Sequence, residues 1–105
     1  METIQWYHFI AAFFAGVFLA NAVPHFVHGI SGDKFPTPFA KPHGKGLSSP
    51  KINAIWALVN LVIGYFLYQA GHLSTNNKPI VLTFFIGVAV ISLWLANTFS
   101  KKDKE

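Results

Sequence analysis

Residues 52–70 read INAIWALVNLVIGYFLYQA, a run without a single formal charge, and two other stretches match it. Residues 5–23 read QWYHFIAAFFAGVFLANAV and residues 80–99 read IVLTFFIGVAVISLWLANTF. Each holds about 20 residues, which at a helical rise of roughly 1.5 Å matches the roughly 30 Å hydrocarbon thickness of a bilayer. The charge-free windows extend further, over Thr3–Gly32, Ile52–Asn77 and Pro79–Ser100. Nothing alternates with period two, and three strands cannot close a barrel, so helices are the remaining way to satisfy the backbone in lipid. The expected fold class is all-α: an integral membrane protein with three transmembrane helices and an ordered Pro/Gly-rich cytoplasmic loop between the first two. It is a single three-span domain, with spans at about 5–23, 52–70 and 80–99, a loop at 24–51 and a tail at 100–105.

Composition points the same way. Of 105 residues, 52% are hydrophobic and 11% charged, against about 25% charged in an average soluble domain. There is no Cys, which removes disulfide scaffolds, thiolate zinc sites and thiol catalysis. A cleaved signal peptide is the rival reading of the first run, because Ala20-Asn21-Ala22 has a small-x-small form. The segment ahead of it carries Glu2 and no Lys or Arg, and Pro24 crowds the scissile position, so the run reads as a retained span.

The lysines set the expected orientation. With three spans, one side holds Lys34, Lys41, Lys45, Lys51, Lys101, Lys102 and Lys104, while the other holds Lys78 alone. Seven against one places the loop and the C-terminus in the cytoplasm and the N-terminus outside. Trp6, Tyr7 and Tyr68 then fall at outer helix ends, Trp56 and Trp94 near inner ones. A bacterial inner (plasma) membrane suits a chain of this size. The pI of about 9.6 follows from topology and anionic headgroups, and no nucleic-acid stripe is present.

Small residues mark helix-packing faces. Ala12, Gly16 and Ala20 recur at four-residue intervals in the first run; Ala57 and Gly64 share a stripe with Asn53 and Asn60 in the second; Gly87 lies on the third. In lipid such faces let backbones approach, within a chain or between copies, so a homo-oligomer or a membrane partner subunit is expected. Asn60 lies about two turns deeper than Asn53 and must face protein or a wet cavity.

Residues 21–51, NAVPHFVHGISGDKFPTPFAKPHGKGLSSPK, hold the candidate chemistry. Asn21, His25 and His28 are spaced i, i+4 and i+7 and share a face if the first helix runs past Pro24, with Gly29 and Gly32 then ending it. With His43 from the loop, three imidazoles have the donor chemistry for Zn, Cu, Ni or haem iron, with Asp33 as an oxygen ligand; histidines that merely hydrogen-bond are the plainer alternative. Ahead of the second run, Ser48 or Ser49 is an N-cap and Pro50 suits the first turn. His43-Gly44-Lys45-Gly46 beside that helix start, with Lys51, suggests an anionic-headgroup site, ordinary capping being the alternative. The spacing is not that of a P-loop. Asn21, Asn53 and Asn97 fall at similar depth and outline a polar vestibule leading to Asn60.

No Asp, Glu, Lys or Arg lies within a span, which lowers the expectation of ion-coupled transport. No nucleophile elbow or H-E-x-x-H pattern supports an enzyme, so the balance leans away from catalysis. The leading expectation is a small non-enzymatic membrane protein, an oligomeric or accessory subunit whose loop binds an anionic headgroup or partner. The alternative is a metal or small-molecule site, for transport or catalysis, built from Asn21, His25, His28, His43, Asn53 and Asn60. The cofactor, if there is one, is not specified by these residues.

Overall fold

A computed structural model describes residues 3–43 and 45–103. It contains three long helices: α1 (Trp6–Ile30), α2 (Pro50–Ala70) and α3 (Lys78–Phe99), with a 3₁₀ turn at Leu73–Thr75. All three are long and apolar enough to cross a membrane. The most apolar windows of α1, α2 and α3 are only 28%, 22% and 17% buried within the chain. Large side chains such as Phe66, Leu82 and Leu93 stand outward, the reverse of a water-soluble helical bundle.

Local chemistry explains the helix limits. At the start of α1 the Gln5 N–H donates to His8 Nδ1 at 2.8 Å, satisfying a group that begins the helix without a partner. At its end, Gly32 takes φ 78°, Asp33 N–H reaches the His28 carbonyl at 2.9 Å and Gly32 N–H the Gly29 carbonyl at 3.3 Å. These two bonds form a Schellman motif, whose left-handed residue is least strained as glycine. Ser49 Oγ accepts from Ile52 N–H at 3.2 Å, ahead of Pro50 at the start of α2. Asn77 Oδ1 caps α3 by accepting from Ile80 N–H at 3.1 Å.

One boundary departs from the sequence expectation. The first apolar helix does not stop at Val23 with a loop from Pro24; α1 continues through Pro24 to Ile30, a length of about 37 Å. Proline removes one N–H, leaving the Ala20 carbonyl without its helical donor, and the remaining bonds carry the helix on. The connection between α1 and α2 is therefore residues 31–49.

α1 is the central element. It packs along both α2 and α3, whereas α2 and α3 make next to no contact with each other. The α1–α3 seam is backbone on backbone: a Cβ at Gly16 would strike the Phe84 carbonyl oxygen, and one at Gly87 the Phe13 carbonyl oxygen. Towards α2, a Cβ at Gly71 would lie 2.8 Å from Ala12 N, one at Gly29 2.6 Å from Ala54 N, and one at Gly64 would press on Leu19. Ala12 and Ala57 are fully buried between helices, while Ala20 is half-buried. Ala12, Ala15, Leu73 and Ile80 form the core near the α2–α3 turn.

Residues 31–49 fold back across the opposite end. Phe35 and Ser48 pair in an antiparallel bridge, N–H to carbonyl at 3.2 and 2.9 Å. Thr37 Oγ1 and Ser48 Oγ lie 2.6 Å apart. Asn53 anchors this segment to α2, its Nδ2 donating to the Phe35 carbonyl at 2.8 Å and shared with those of Ser48 and Ser49. The Phe35 ring packs edge-on against Phe99 at 4.6 Å, and Lys102 Nζ lies 5.9 Å from its centroid.

Candidate functional site

Because α2 and α3 stand apart on a shared α1, a cleft opens between them. At the end covered by residues 31–49 it becomes a cavity of about 510 Å³, within the usual size range of small-molecule sites. Val17 and Phe18 of α1 and Ile91 and Leu95 of α3 supply apolar wall, Trp56 and Trp94 aromatic wall, and Pro36-Thr37-Pro38 the covering edge. Proline on either side of Thr37 fixes two φ angles there, which suits a stiff strap. Among the described residues, no Lys, Asp or Glu borders the cavity.

A small set of neutral polar groups interrupts the apolar wall. Asn21 donates Nδ2–H to Asn60 Oδ1 at 3.0 Å, and Asn60 donates Nδ2–H to the Trp56 carbonyl at 2.8 Å. Asn60, only 1% exposed, is thereby held with its oxygen towards α1. His25, 2% exposed, has Nδ1 at 2.8 Å from Asn53 Oδ1. Asn53 commits its NH₂ to three carbonyls, so the atom facing His25 is an acceptor and His25 Nδ1 must carry the proton. In the neutral ring Nε2 is then the lone-pair side. Trp56 Nε1–H is buried without an acceptor among the described residues, an omission that costs roughly 1–3 kcal/mol when nothing fills it.

The sequence candidates divide sharply by position. Asn21, His25, His43 and Asn60 all border the cavity. His28 does not: its ring stacks on Phe35, centroids 4.2 Å apart and planes at 10°, and its Nδ1 lies 3.6 Å from Asp33 Oδ2, beyond hydrogen-bond range. Among the described residues no three His, Asp or Glu side chains converge as a metal-binding group, so His25, His28 and His43 are not brought together as a triad. Asn53 acts as a structural bridge behind His25. Asn97 is exposed at the end of α3 and stands outside the vestibule outlined by Asn21 and Asn60.

Some of the groups expected beside an anion have partners within the chain, while the side chains of Lys45 and Lys51 are exposed. Ser48 is engaged with Thr37 and Phe35, Ser49 caps α2, and the N–H groups of Lys45 and Gly46 both reach the Pro42 carbonyl, at 3.1 and 2.8 Å. The Lys45 carbonyl accepts from Asp103 N–H at 2.8 Å, tying the tail to the connection. Gly44 and Lys104 lie outside the described residues. At the far end His8 and His72 face each other, ring centroids 3.9 Å apart.

Sequence reasoning missed Thr37, Trp56 Nε1 and the apolar walls. One signal was available: Trp56 precedes Asn60 by one helical turn, so its indole belongs to the same stripe as the buried amide. Comparison with family models, with curated proteins and with solved structures finds no match to this chain.

Proposed function

We propose that the chain is an integral membrane protein that binds a small neutral lipophile in the cleft between α2 and α3. The carrying observation is the apolar cavity of about 510 Å³ that Asn21, His25 and Asn60 border. Apolar walls with a few placed polar groups are the common make-up of ligand sites. A cleft between two apolar helices also lets a lipid-soluble molecule enter sideways from the bilayer. The proposed orientation puts the 31–49 end in the cytoplasm, at a bacterial inner membrane, because Lys34, Lys41, Lys45, Lys51, Lys101 and Lys102 are all exposed there and suit an anionic leaflet. If the chain assembles with a second copy, the exposed small face Ala89-Ser92-Ala96 of α3 is the surface we assign to it.

The test is native mass spectrometry of the whole chain released from mild detergent, with the variant Ile91→Trp alongside. Ile91 borders the cavity from α3, so an indole there fills it without touching the glycine seams. The wild type should retain a stoichiometric small molecule that the variant, equally helical by circular dichroism, lacks. Retention of the same mass by Ile91→Trp, or only a scatter of phospholipids on the wild type, would overturn the proposal.

A further inference from the structure

We infer that Lys41, Lys45, Lys101 and Lys102 form a binding surface for the headgroup phosphate of an anionic phospholipid. This rests on the membrane residence proposed above and is independent of the cleft. Backbone bonds gather the four from distant parts of the chain. Lys45 N–H and Gly46 N–H both donate to the Pro42 carbonyl, at 3.1 and 2.8 Å, so Lys41 and Lys45 flank one reversal. Asp103 N–H donates to the Lys45 carbonyl at 2.8 Å and carries Lys101 and Lys102 to the same place. Lys102 Nζ stands 5.9 Å from the Phe35 ring centroid, which ties that ammonium to residues 31–49.

All four lysines are exposed, and none has a carboxylate partner among the described residues. The described acids at this end are Asp33, 3.6 Å from His28 Nδ1, and Asp103. Like charges gathered this way repel, and an anion seated among them relieves the repulsion. Topology alone asks only that lysines lie on this side of the membrane. It does not ask that the tail be bonded to the Lys45 carbonyl. Apolar surface beside the lysines favours a lipid over a free anion. Phe39 is 65% exposed, and its ring meets Trp56 edge-on at 5.3 Å. Trp56 lies in the second turn of α2, so the segment that carries Lys41 and Lys45 rests against a spanning helix near headgroup depth. An exposed ring there suits the first acyl carbons, and the ammonium groups suit the phosphate.

The test uses the full chain in phosphatidylcholine nanodiscs with spin-labelled phosphatidylglycerol or phosphatidylcholine of one acyl length. The immobilised fraction of each label gives their relative association. Phosphatidylglycerol should associate about fivefold more strongly, the gain expected of one ammonium brought to a phosphate. High salt should erase most of that preference. Lys41→Gln combined with Lys45→Gln and Lys101→Gln, all at exposed positions, should cut it to below about twofold. Lys78→Gln at the other end, and Ile91→Trp in the cleft, should keep it.

Equal association of the two lipids would overturn the inference while leaving the cleft reading standing. So would a preference that the triple substitution leaves unchanged in a chain equally helical by circular dichroism. Loss of the preference in Ile91→Trp alone would put the anionic lipid in the cleft and overturn it as well. Displacement of the label by free glycerol phosphate as readily as by unlabelled phosphatidylglycerol would overturn it in favour of a soluble anion. Failure of the chain to enter the nanodiscs would overturn both readings.

Discussion

Asn53→Leu is the substitution that bears hardest on this architecture. Leucine has similar bulk and better helix propensity than asparagine, so α2 itself should tolerate it. The loss falls on the groups Asn53 holds. His25 Nδ1–H, in a residue 2% exposed, is left without its acceptor, at a cost of about 1–3 kcal/mol. The three carbonyls lose less, because each keeps a backbone partner: Phe35 O accepts from Ser48 N, Ser48 O from Phe35 N, and Ser49 O from Asn53 N. Only the 2.8 Å bond to Phe35 O is short enough to count fully, adding about 1 kcal/mol. The sum, about 2–4 kcal/mol, raises the opening equilibrium of residues 31–49 by between about 30-fold and 1000-fold. Hydrogen exchange at the Phe35 and Ser48 amides reads this directly, since the two form the bridge that closes the segment. Asn97→Leu is the matched control: an asparagine of similar depth, exposed on α3, whose replacement should change exchange by less than about twofold. If Asn53→Leu leaves Phe35 and Ser48 as protected as in the wild type, Asn53 is not the anchor of this segment and the fixed His25 tautomer loses its basis.

Two further outcomes are expected. Gly87→Ala gains helix propensity but drives a methyl into the Phe13 carbonyl; overpacking outweighs the gain, and thermal unfolding in detergent should show a net loss of about 1–2 kcal/mol. The chain has no Cys, so Ser31→Cys and Ser74→Cys, both at exposed positions, report topology cleanly. A membrane-impermeant maleimide applied to intact cells should label Ser74→Cys and spare Ser31→Cys, and the opposite pattern would invert the proposed orientation.

The three helices were legible because charge is excluded from long windows, a constraint that acts residue by residue and needs no knowledge of packing. The end of α1 was harder. Pro24 reads locally as a boundary, and Gly29 and Gly32 as the end only if the helix runs past it; which of the two holds depends on the bonds from Gly32 and Asp33 back to Gly29 and His28. At the site, Asn21, His25 and Asn60 could be singled out because buried amides and imidazoles on apolar helices demand partners. His28 satisfied the same spacing rule, but residues 31–35 turn back and place Phe35 against its ring, a reversal no helical period encodes. Asn21, Asn53 and Asn97 looked equivalent by depth and proved to be a cavity group, a strap anchor and an exposed end. Only the neighbours each one meets separate them.

The cavity itself follows from where the close backbone contacts lie. α2 approaches α1 at intervals along its length, through Gly71 on Ala12, Gly64 on Leu19 and Gly29 on Ala54. On α3 the glycine contacts lie in its first half, where Gly87 meets Phe13 and Gly16 meets Phe84 and Val88. Beyond that point its inward positions are Ile91, Leu95 and Phe99, side chains that keep two helices at ordinary packing distance. The end of α3 is tied in through rings, Phe99 against His25 at 6.0 Å and against Phe35 at 4.6 Å, instead of through backbone contact. One helix with glycine contacts along its length and another with glycine contacts in its first half alone fit a wedge of space between them, and it falls at the level of Asn21, Trp56 and Asn60. Apolar side chains of greater bulk at Val17 or Ile91 would have closed it. The polar residues that border this space, and the proline-flanked strap across it, are what the proposed binding role rests on.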